Sequence, residues 1–299
     1  MSRLFALFAP TLALALVAAP AAAKDAPPVE SDDPLFEGGK LLLTNGVTGI
    51  EGSSGGGVAT WATIGGLETD SGVGLTGHVT LIELPDFGWQ SLGIAVGIAN
   101  RFELSYARQN FDTRDAGAVL GLGKGYTFNQ DVFGAKVRLV GDLVYGDPLL
   151  PQISVGIQHK RSRDAAVVQA VGADSATGTD LFVSASKLFL SHSVLASATL
   201  RYTSANEGGV LGFGNAADDG RSLQFEGSLA YQLSRRAVVG TELRTKPDNL
   251  GLGENDWIDL FAAYALTDNV TLTAAYVDLG SIATFEKQRG GFLSAQLAF

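Results

Sequence analysis

From about residue 55 onward, the chain alternates apolar and polar residues over stretches of roughly ten residues, and a turn or loop follows each stretch. The clearest stretch runs from Leu223 to Leu233, where leucines and aromatic residues at odd positions alternate with Gln, Glu, Ser and Ala at even positions. Successive side chains of a β-strand point to opposite faces, so this period of two predicts strands with one apolar and one polar face. Its repetition at this length predicts a transmembrane β-barrel.

The number of strands follows from counting these stretches. The alternation predicts thirteen strands, at residues 55–66, 73–84, 89–99, 101–110, 131–145, 151–161, 178–189, 194–204, 221–233, 236–246, 256–266, 269–279 and 290–299. Single-chain bacterial barrels have an even number of strands. A further strand is therefore expected at residues 40–50, joined by a loop at 51–57. The predicted fold class is all-β: an antiparallel transmembrane β-barrel of about 14 strands, with about 12 as the alternative.

Two further features favour a membrane barrel over a soluble β-sandwich, which would also alternate. Aromatic residues lie near the strand ends on the apolar face, as membrane interfaces require, namely Tyr106, Tyr145, Tyr202, Tyr231, Tyr264 and Tyr276. Tight connections such as 234–235 alternate with long ones such as 111–126 and 204–220. This pattern predicts short periplasmic turns and long extracellular loops.

The last predicted strand ends on alternating apolar residues. Leu297 and Phe299 resemble the signal that the barrel assembly machinery of the outer membrane reads, although Ser294 and Phe292 depart from the usual pattern of that signal. We therefore expect Leu297 and Phe299 to act as an assembly signal. The expected partners are this machinery, outer-membrane lipid and a small-molecule solute.

The N-terminal residues have the layout of a secretory signal peptide. Arg3 precedes an apolar stretch, and Ala21 and Ala23 fit a cleavage site, so a signal peptide is predicted at 1–23 with cleavage after Ala23. The alternative is an uncleaved membrane anchor, but the apolar stretch is shorter than the ~20 residues of a spanning helix. Residues 24–39 are predicted to be a polar periplasmic lead-in, and residues 40–299 to form the barrel. The expected location is the bacterial outer membrane.

Composition excludes several classes of function. Without Arg3, the predicted mature chain has 20 basic and 31 acidic residues and a net charge of −11, which argues against nucleic acid as a partner. The absence of cysteine excludes disulfides and thiolate metal sites. We expect no cofactor and no metal site.

Candidate chemical motifs are weak. The glycine-rich stretch 117–125 lacks both the first Gly and the Ser or Thr of a phosphate-binding loop, so an extracellular loop is predicted. Of the histidines, His192 is expected in a turn and His159 at the outward parity of its strand. His78 has the inward parity, but no nucleophile motif accompanies it. No catalytic residue is predicted.

The inward polar face is the candidate functional surface. Strand parity places charged groups of both signs, and one histidine, in the lumen; the candidates are Glu103, Lys136, Arg138, Asp142, Arg201, Glu226, Glu242, Arg244, Asp259 and His78, and Lys160 has the same inward position. Such groups can line a water channel, or they can pair with one another and fill a closed interior. The leading hypothesis is a narrow, porin-like channel for passive passage of a small solute. A structural or interaction barrel with a filled interior is the alternative, and an outer-membrane enzyme is a third.

Several strand and turn segments resemble those of a family of uncharacterised outer-membrane barrel proteins from Gram-negative bacteria, known as a domain of unknown function. They are KLLLTN at 40–45, GGGVATWATIGG at 55–66, GIAVGIANRFELSYARQNFD at 93–112 and LTAAYVDLG at 272–280. The resemblance implies a barrel and a location, but no activity. The chain is also more loosely similar to barrels linked with uptake of aromatic compounds.

Overall fold

The computed structural model describes residues 38–47 and 49–299. Within these ranges, twelve antiparallel strands form a closed barrel, in which each strand pairs with its neighbours in sequence and the first pairs with the last. The strands are β1 Val73–Glu83, β2 Gly88–Ile98, β3 Phe102–Asp112, β4 Thr127–Val140, β5 Gln152–Ser162, β6 Thr177–Phe189, β7 Val194–Thr203, β8 Ser222–Ser234, β9 Ala237–Arg244, β10 Trp257–Ala265, β11 Val270–Asp278 and β12 Arg289–Ala298. The predicted all-β barrel is confirmed, with the lower of the two strand counts.

Helical structure is limited to the connections. Among the described residues there are two short α-helices, α1 at Ala116–Val119 and α2 at Ala165–Ala170, with 3-10 turns at Leu190–His192 and Asn206–Gly209. No helix in the described ranges is long and apolar enough to cross a membrane. The predicted signal peptide and residues 24–37 of the predicted lead-in lie outside the described residues.

The two ends of the barrel differ in their connections. At one end, which we call the turn end, most connections are tight; the turn after β2 uses the left-handed conformation at Ala99 and Asn100, with φ of 51° and 44°. The opposite end, which we call the loop end, carries long connections at 113–126, 163–176, 204–221, 245–256 and 279–288. The connection between β1 and β2 at the loop end is short, at residues 84–87.

The outer face of the barrel is apolar. Outward-pointing leucines such as Leu92, Leu200 and Leu260 are 60%, 50% and 66% exposed, so the wall needs an apolar surrounding. Tyr202 and Tyr276 ring this belt near the loop end. Tyr231 and Tyr264 do so near the turn end. Tyr145, predicted on a strand, lies instead in the connection after β4, because β4 ends at Val140.

Two segments predicted as strands do not belong to the wall. Residues 40–50 and 55–66 lie inside the barrel, and every described residue from Leu43 to Gly66 is buried. We call residues 38–47 and 49–72 the internal segment. The prediction of two additional strands was wrong: these segments turn at 42–45 and at 56–59, and period-two alternation does not show which groups satisfy the hydrogen bonds of a backbone.

The long loops close over the loop end of the barrel. Their apolar residues form one buried cluster with strand-end aromatics, in which Trp89 packs edge-on against Trp257 with 5.6 Å between ring centroids. The cluster extends inward to Ile50 and Val58 of the internal segment. We call these folded loops the lid. The lid and the internal segment therefore share one apolar core.

An ionic group joins two loops within the lid. Lys246 donates to Glu254 at 2.6 Å and to Glu207 at 2.5 Å, and all three side chains are almost fully buried. Burial raises the pKa of Glu207 to about 8; Lys246 opposes this shift, and the charge of Glu254 adds to it. Near neutral pH the group is therefore held with a proton on a carboxyl.

The apolar belt predicts a strong cost for a charge on the outer face. Leu200→Arg or Phe225→Arg should destabilise the folded barrel by about 1 to 3 kcal/mol, because each places a cation inside the apolar belt, between the interface and the bilayer midplane. A urea titration of folding into vesicles, followed by heat-modifiable migration in gels, measures the change. Leu149→Arg is the control, since Leu149 is 90% exposed in a turn-end connection. An equal loss in the control variant would contradict the assignment of the belt.

The buried Glu207 predicts a lid that loosens as the pH rises. Its ordinary pKa is 4.5 and its pKa in the folded lid is about 8, so the docked loop binds more protons than the undocked loop between these values. Docking is therefore strongest below pH 4.5 and weakens as the pH rises through 8. A spin label on Ala216→Cys, an exposed position in the same loop, should become more mobile over this range.

Two variants test whether Glu207 is the group that titrates. Glu207→Gln should flatten the pH profile of the spin label, because the side chain can no longer lose a proton. Asp219→Asn, an exposed carboxylate in the same loop, should leave the profile unchanged. A Glu207→Gln profile identical to that of the parent would contradict the assignment.

Candidate functional site

The inward faces of the strands place most of the predicted candidates inside the barrel. The buried ones are Glu103, Lys136, Arg201, Glu226, Glu242, Arg244, Asp259 and His78. Arg138 is half-buried near the turn end, where it pairs with Asp70 at 2.8 Å and with Asp142 at 3.1 Å. Asp142 itself lies just beyond β4. These side chains face the internal segment or one another, so their contacts with that segment define the site.

Several groups of side-chain contacts, which we call anchors, hold the internal segment to the wall. The first anchor involves the carboxylate of Glu51. It lies 2.5 Å from Lys160 Nζ, 2.7 Å from Arg244 Nη2 and 3.5 Å from Arg201 Nη2. Burial alone would raise the pKa of Glu51, but these three cations hold it well below its usual range. Glu51 is therefore ionised at any pH at which the protein is expected to work.

The wall supplies two further carboxylates to the same cluster. Asp180 lies 2.9 Å from Lys160 and 3.3 Å from Arg201, and Glu226 accepts from Arg201 Nε at 2.5 Å. Three cations thus face three carboxylates, and only one of the carboxylates comes from the internal segment. Without Glu51, the wall of this cluster would carry one unpaired positive charge in a buried position.

Sequence reasoning missed two members of this cluster. Glu51 was assigned to a loop between strands, and Asp180 was omitted although it has the inward parity of β6. The signal for Asp180 was available in the alternation of β6. No sequence signal identified Glu51, because its role depends on the segment folding back into the lumen.

A second anchor involves Glu103 of β3. Its carboxylate accepts from Ser53 Oγ at 2.7 Å and from the backbone N–H of Gly65 at 2.7 Å. Lys136 pairs with Glu103 at 3.2 Å and donates to the carbonyls of Ser54 and Trp61. This ion pair of the wall therefore holds the internal segment at two separate places, Ser53 and Gly65.

A third anchor is Glu242 of β9. It accepts from the backbone N–H of Val58 at 2.8 Å and from Trp61 Nε1 at 3.3 Å. Gly56 lies directly against this carboxylate, and a Cβ at position 56 would overlap Glu242. The position therefore requires glycine for close approach.

Other polar side chains of the wall complete the backbone hydrogen bonds of the internal segment. Gln152 and Ser154 each donate to the carbonyl of Ala62 at 2.6 Å. Ser91 and Gln109 donate to the carbonyl of Ile50 at 2.7 and 2.8 Å. Side chains of the wall thus do for this segment what a neighbouring strand does in a sheet.

The buried histidine lies in the same lumen. His78 Nε2 lies 3.2 Å from Ser91 Oγ. Ser91 donates its proton to the carbonyl of Ile50, so the hydroxyl is not directed at the histidine as a nucleophile would be. In the described part of the chain, Ser91 is the only side chain hydrogen-bonded to His78.

Solved structures with a similar fold are outer-membrane barrels. A KdgM porin in complex with disordered oligogalacturonate has a TM-score of 0.50 and 11% identity, covering 75% of this chain and 99% of its own. The NanC porin has a TM-score of 0.47 and 11% identity, covering 75% and 98%. Outer membrane phospholipase A from Escherichia coli has a TM-score of 0.44 and 11% identity, covering 74% and 89%. At this identity the likeness shows the fold alone.

At the level of sequence, a family model matches most of the chain. No curated protein matches the chain. The family model described as "Protein of unknown function (DUF3034)" matches residues 44–296, which include both the internal segment and the wall. This match confirms the resemblance that the strand and turn motifs indicated. The chain belongs to the DUF3034 family.

Proposed function

We propose that this protein is a porin-like channel of the bacterial outer membrane, closed at rest by its internal segment, which passes a small solute when that segment moves. The observation that carries the proposal is the set of anchors between the segment and the wall. At these anchors the wall meets the segment with charged and polar side chains, and an apolar cluster around Val47 and Trp61 packs beside them. The charged and polar groups can exchange a backbone partner for water, as the lining of a channel must.

The ionic character of the anchors supports a movable segment. A lumen filled only for stability would gain more from apolar side chains, since buried ion pairs are often no better than well-packed hydrophobic residues of similar volume. Here Lys160, Arg201 and Arg244 face the segment from three strands. In an open state the same cations and carboxylates would line the water path.

The location rests on the apolar belt and on the porin-like fold. A closed barrel with an outward apolar face and two tyrosine rings suits a bilayer, and the predicted signal peptide supports export to the outer membrane. Outer-membrane lipid and the barrel assembly machinery are the expected partners, with Leu297 and Phe299 as the assembly signal.

A structural barrel is the second candidate function. It is favoured by one specific observation, the burial of every described residue from Leu43 to Gly66 within the lumen. We propose no enzymatic role, because the proton of Ser91 is engaged by the carbonyl of Ile50. Conductance separates the channel from the structural barrel.

A reversible covalent latch tests whether the segment moves. A Cβ at Gly65 of the segment would lie 3.4 Å from the Cβ of Ala95 in β2, near the separation that a disulfide needs. The natural chain has no cysteine, so Gly65→Cys with Ala95→Cys introduces one defined pair. In planar bilayers, the oxidised variant should lose the openings seen with the parent protein, and a reducing agent should restore them.

The two single-cysteine variants are the controls for the latch. They carry the same side chains without the bond, so they should open like the parent in both redox states. Openings that persist in the oxidised double variant would show that the segment does not control conduction. A parent protein and a reduced variant that never conduct would favour the structural barrel.

A charge deletion at Glu51 tests the anchor itself. Glu51→Gln leaves Lys160, Arg201 and Arg244 with one carboxylate fewer, and breaking a buried ionic group costs about 3 to 5 kcal/mol. Most of this cost should fall on the closed state, because in the open state water solvates the three cations of the wall. The open probability in single-channel records should therefore rise by about a hundredfold.

The matched control for this variant is Glu286→Gln, which removes the same charge from an exposed residue of the lid. Its open probability should equal that of the parent. If Glu51→Gln folds normally and remains closed in the same records, the ionic cluster does not hold the channel shut.

A further inference from the structure

A second feature of the lid is an apolar cavity of about 120 Å³ at the loop end. Its wall comes from the short β1–β2 connection, from the ends of β3 and β4, and from all five long loops defined above. Phe87, Phe111 and Phe128 line it together with five leucines, Val171, Ala283 and two threonines. The loops thus converge on one enclosed space.

The side chains that line the cavity determine which class of ligand it can bind. Among the residues that the structure describes, no charged one lines it. The hydroxyl of Thr113 is already used, because it donates to the carbonyl of Tyr126 at 2.8 Å. A charged ligand would find no opposite charge there, whereas an apolar one would lose nothing.

The size of the cavity and its aromatic lining narrow the class of ligand further. An apolar cavity of about 150 Å³ in another protein stays dry and accepts benzene, so a space of 120 Å³ suits one aromatic ring. Phe87 and Phe111 are stacked with 5.0 Å between ring centroids, and aromatic side chains that line a cavity favour a ligand ring in offset or edge-on geometry.

Access to the cavity is from outside the lid. Leu120 and Val171, which lie on its rim, are 36% and 40% exposed. On the inner side, the cavity belongs to the apolar cluster that continues to Ile50 and Val58 of the internal segment. A ligand in this space would therefore contact the same core against which the closing segment packs.

We propose that this cavity binds an uncharged molecule with a single aromatic ring, and that it is the outer binding site for the solute of the channel. The second part rests on the function proposed above. Binding is measurable without transport, so the failure of one proposal can be distinguished from the failure of the other.

Protection of an introduced thiol tests the binding. In the cysteine-free chain, Leu120→Cys places one thiol on the rim of the cavity. Toluene at ten times its dissociation constant should slow the labelling of this thiol by a maleimide about tenfold. Benzoate carries the same ring with a charge and should give no protection. Cyclohexane has a similar size without aromaticity and should protect less than toluene.

Two further variants separate the cavity from general effects of solvent and detergent. Val119→Cys lies one position earlier, is 78% exposed and does not line the cavity, so toluene should leave its labelling rate unchanged. Val171→Trp, placed in the Leu120→Cys background, fills the rim and should abolish the protection.

Three results would overturn the proposal. The first is the absence of protection at Leu120→Cys, and the second is equal protection at Val119→Cys. The third is protection by benzoate or cyclohexane equal to that by toluene, which would contradict the stated ligand class. Conductance does not enter this measurement, so a closed and non-conducting protein could still bind toluene.

Discussion

The structure depends on one constraint: polar groups enclosed by the barrel lose bulk water, and their burial is costly unless they find partners in the protein. The internal segment makes some backbone hydrogen bonds with itself, such as Val47 to Gly55, and its other backbone groups need side chains of the wall. The wall in turn carries ionised groups that are costly to bury unless they are paired. Glu51 links these two requirements, because it belongs to the internal segment and its carboxylate pairs with buried cations of the wall.

The wall of the barrel could be predicted from the sequence, because the strands are specified locally. Alternation identified all twelve strands, and most bounds differ by a few residues; β4 is an exception, since it begins at Thr127 and ends at Val140. Parity also placed Arg201, Glu226 and Glu242 on the inward face, where they are buried. Each of these inferences uses only the period of a strand and the two faces that it creates.

The internal segment could not be predicted in this way. GGGVATWATIGG at 55–66 shares the alternation of a wall strand, although its backbone turns at 56–59, where Gly56 donates to the carbonyl of Ala59. What differs is the source of its hydrogen bonds, which come from residues such as Ser154, Thr199 and Glu226, far away in sequence. The rule of even strand number then required a fourteenth strand that the chain does not form.

The path of the internal segment has a topological consequence. Gly39 donates to the carbonyl of Leu67, and Leu67 donates to the carbonyl of Phe299, so the two limbs of the segment come together at the turn end. Between these limbs the segment turns at 49–52 and again at 56–59, and Ile50 and Val58 reach the apolar cluster of the lid. A segment whose two described ends lie together at one rim could leave toward the turn end without breaking a strand pair of the wall.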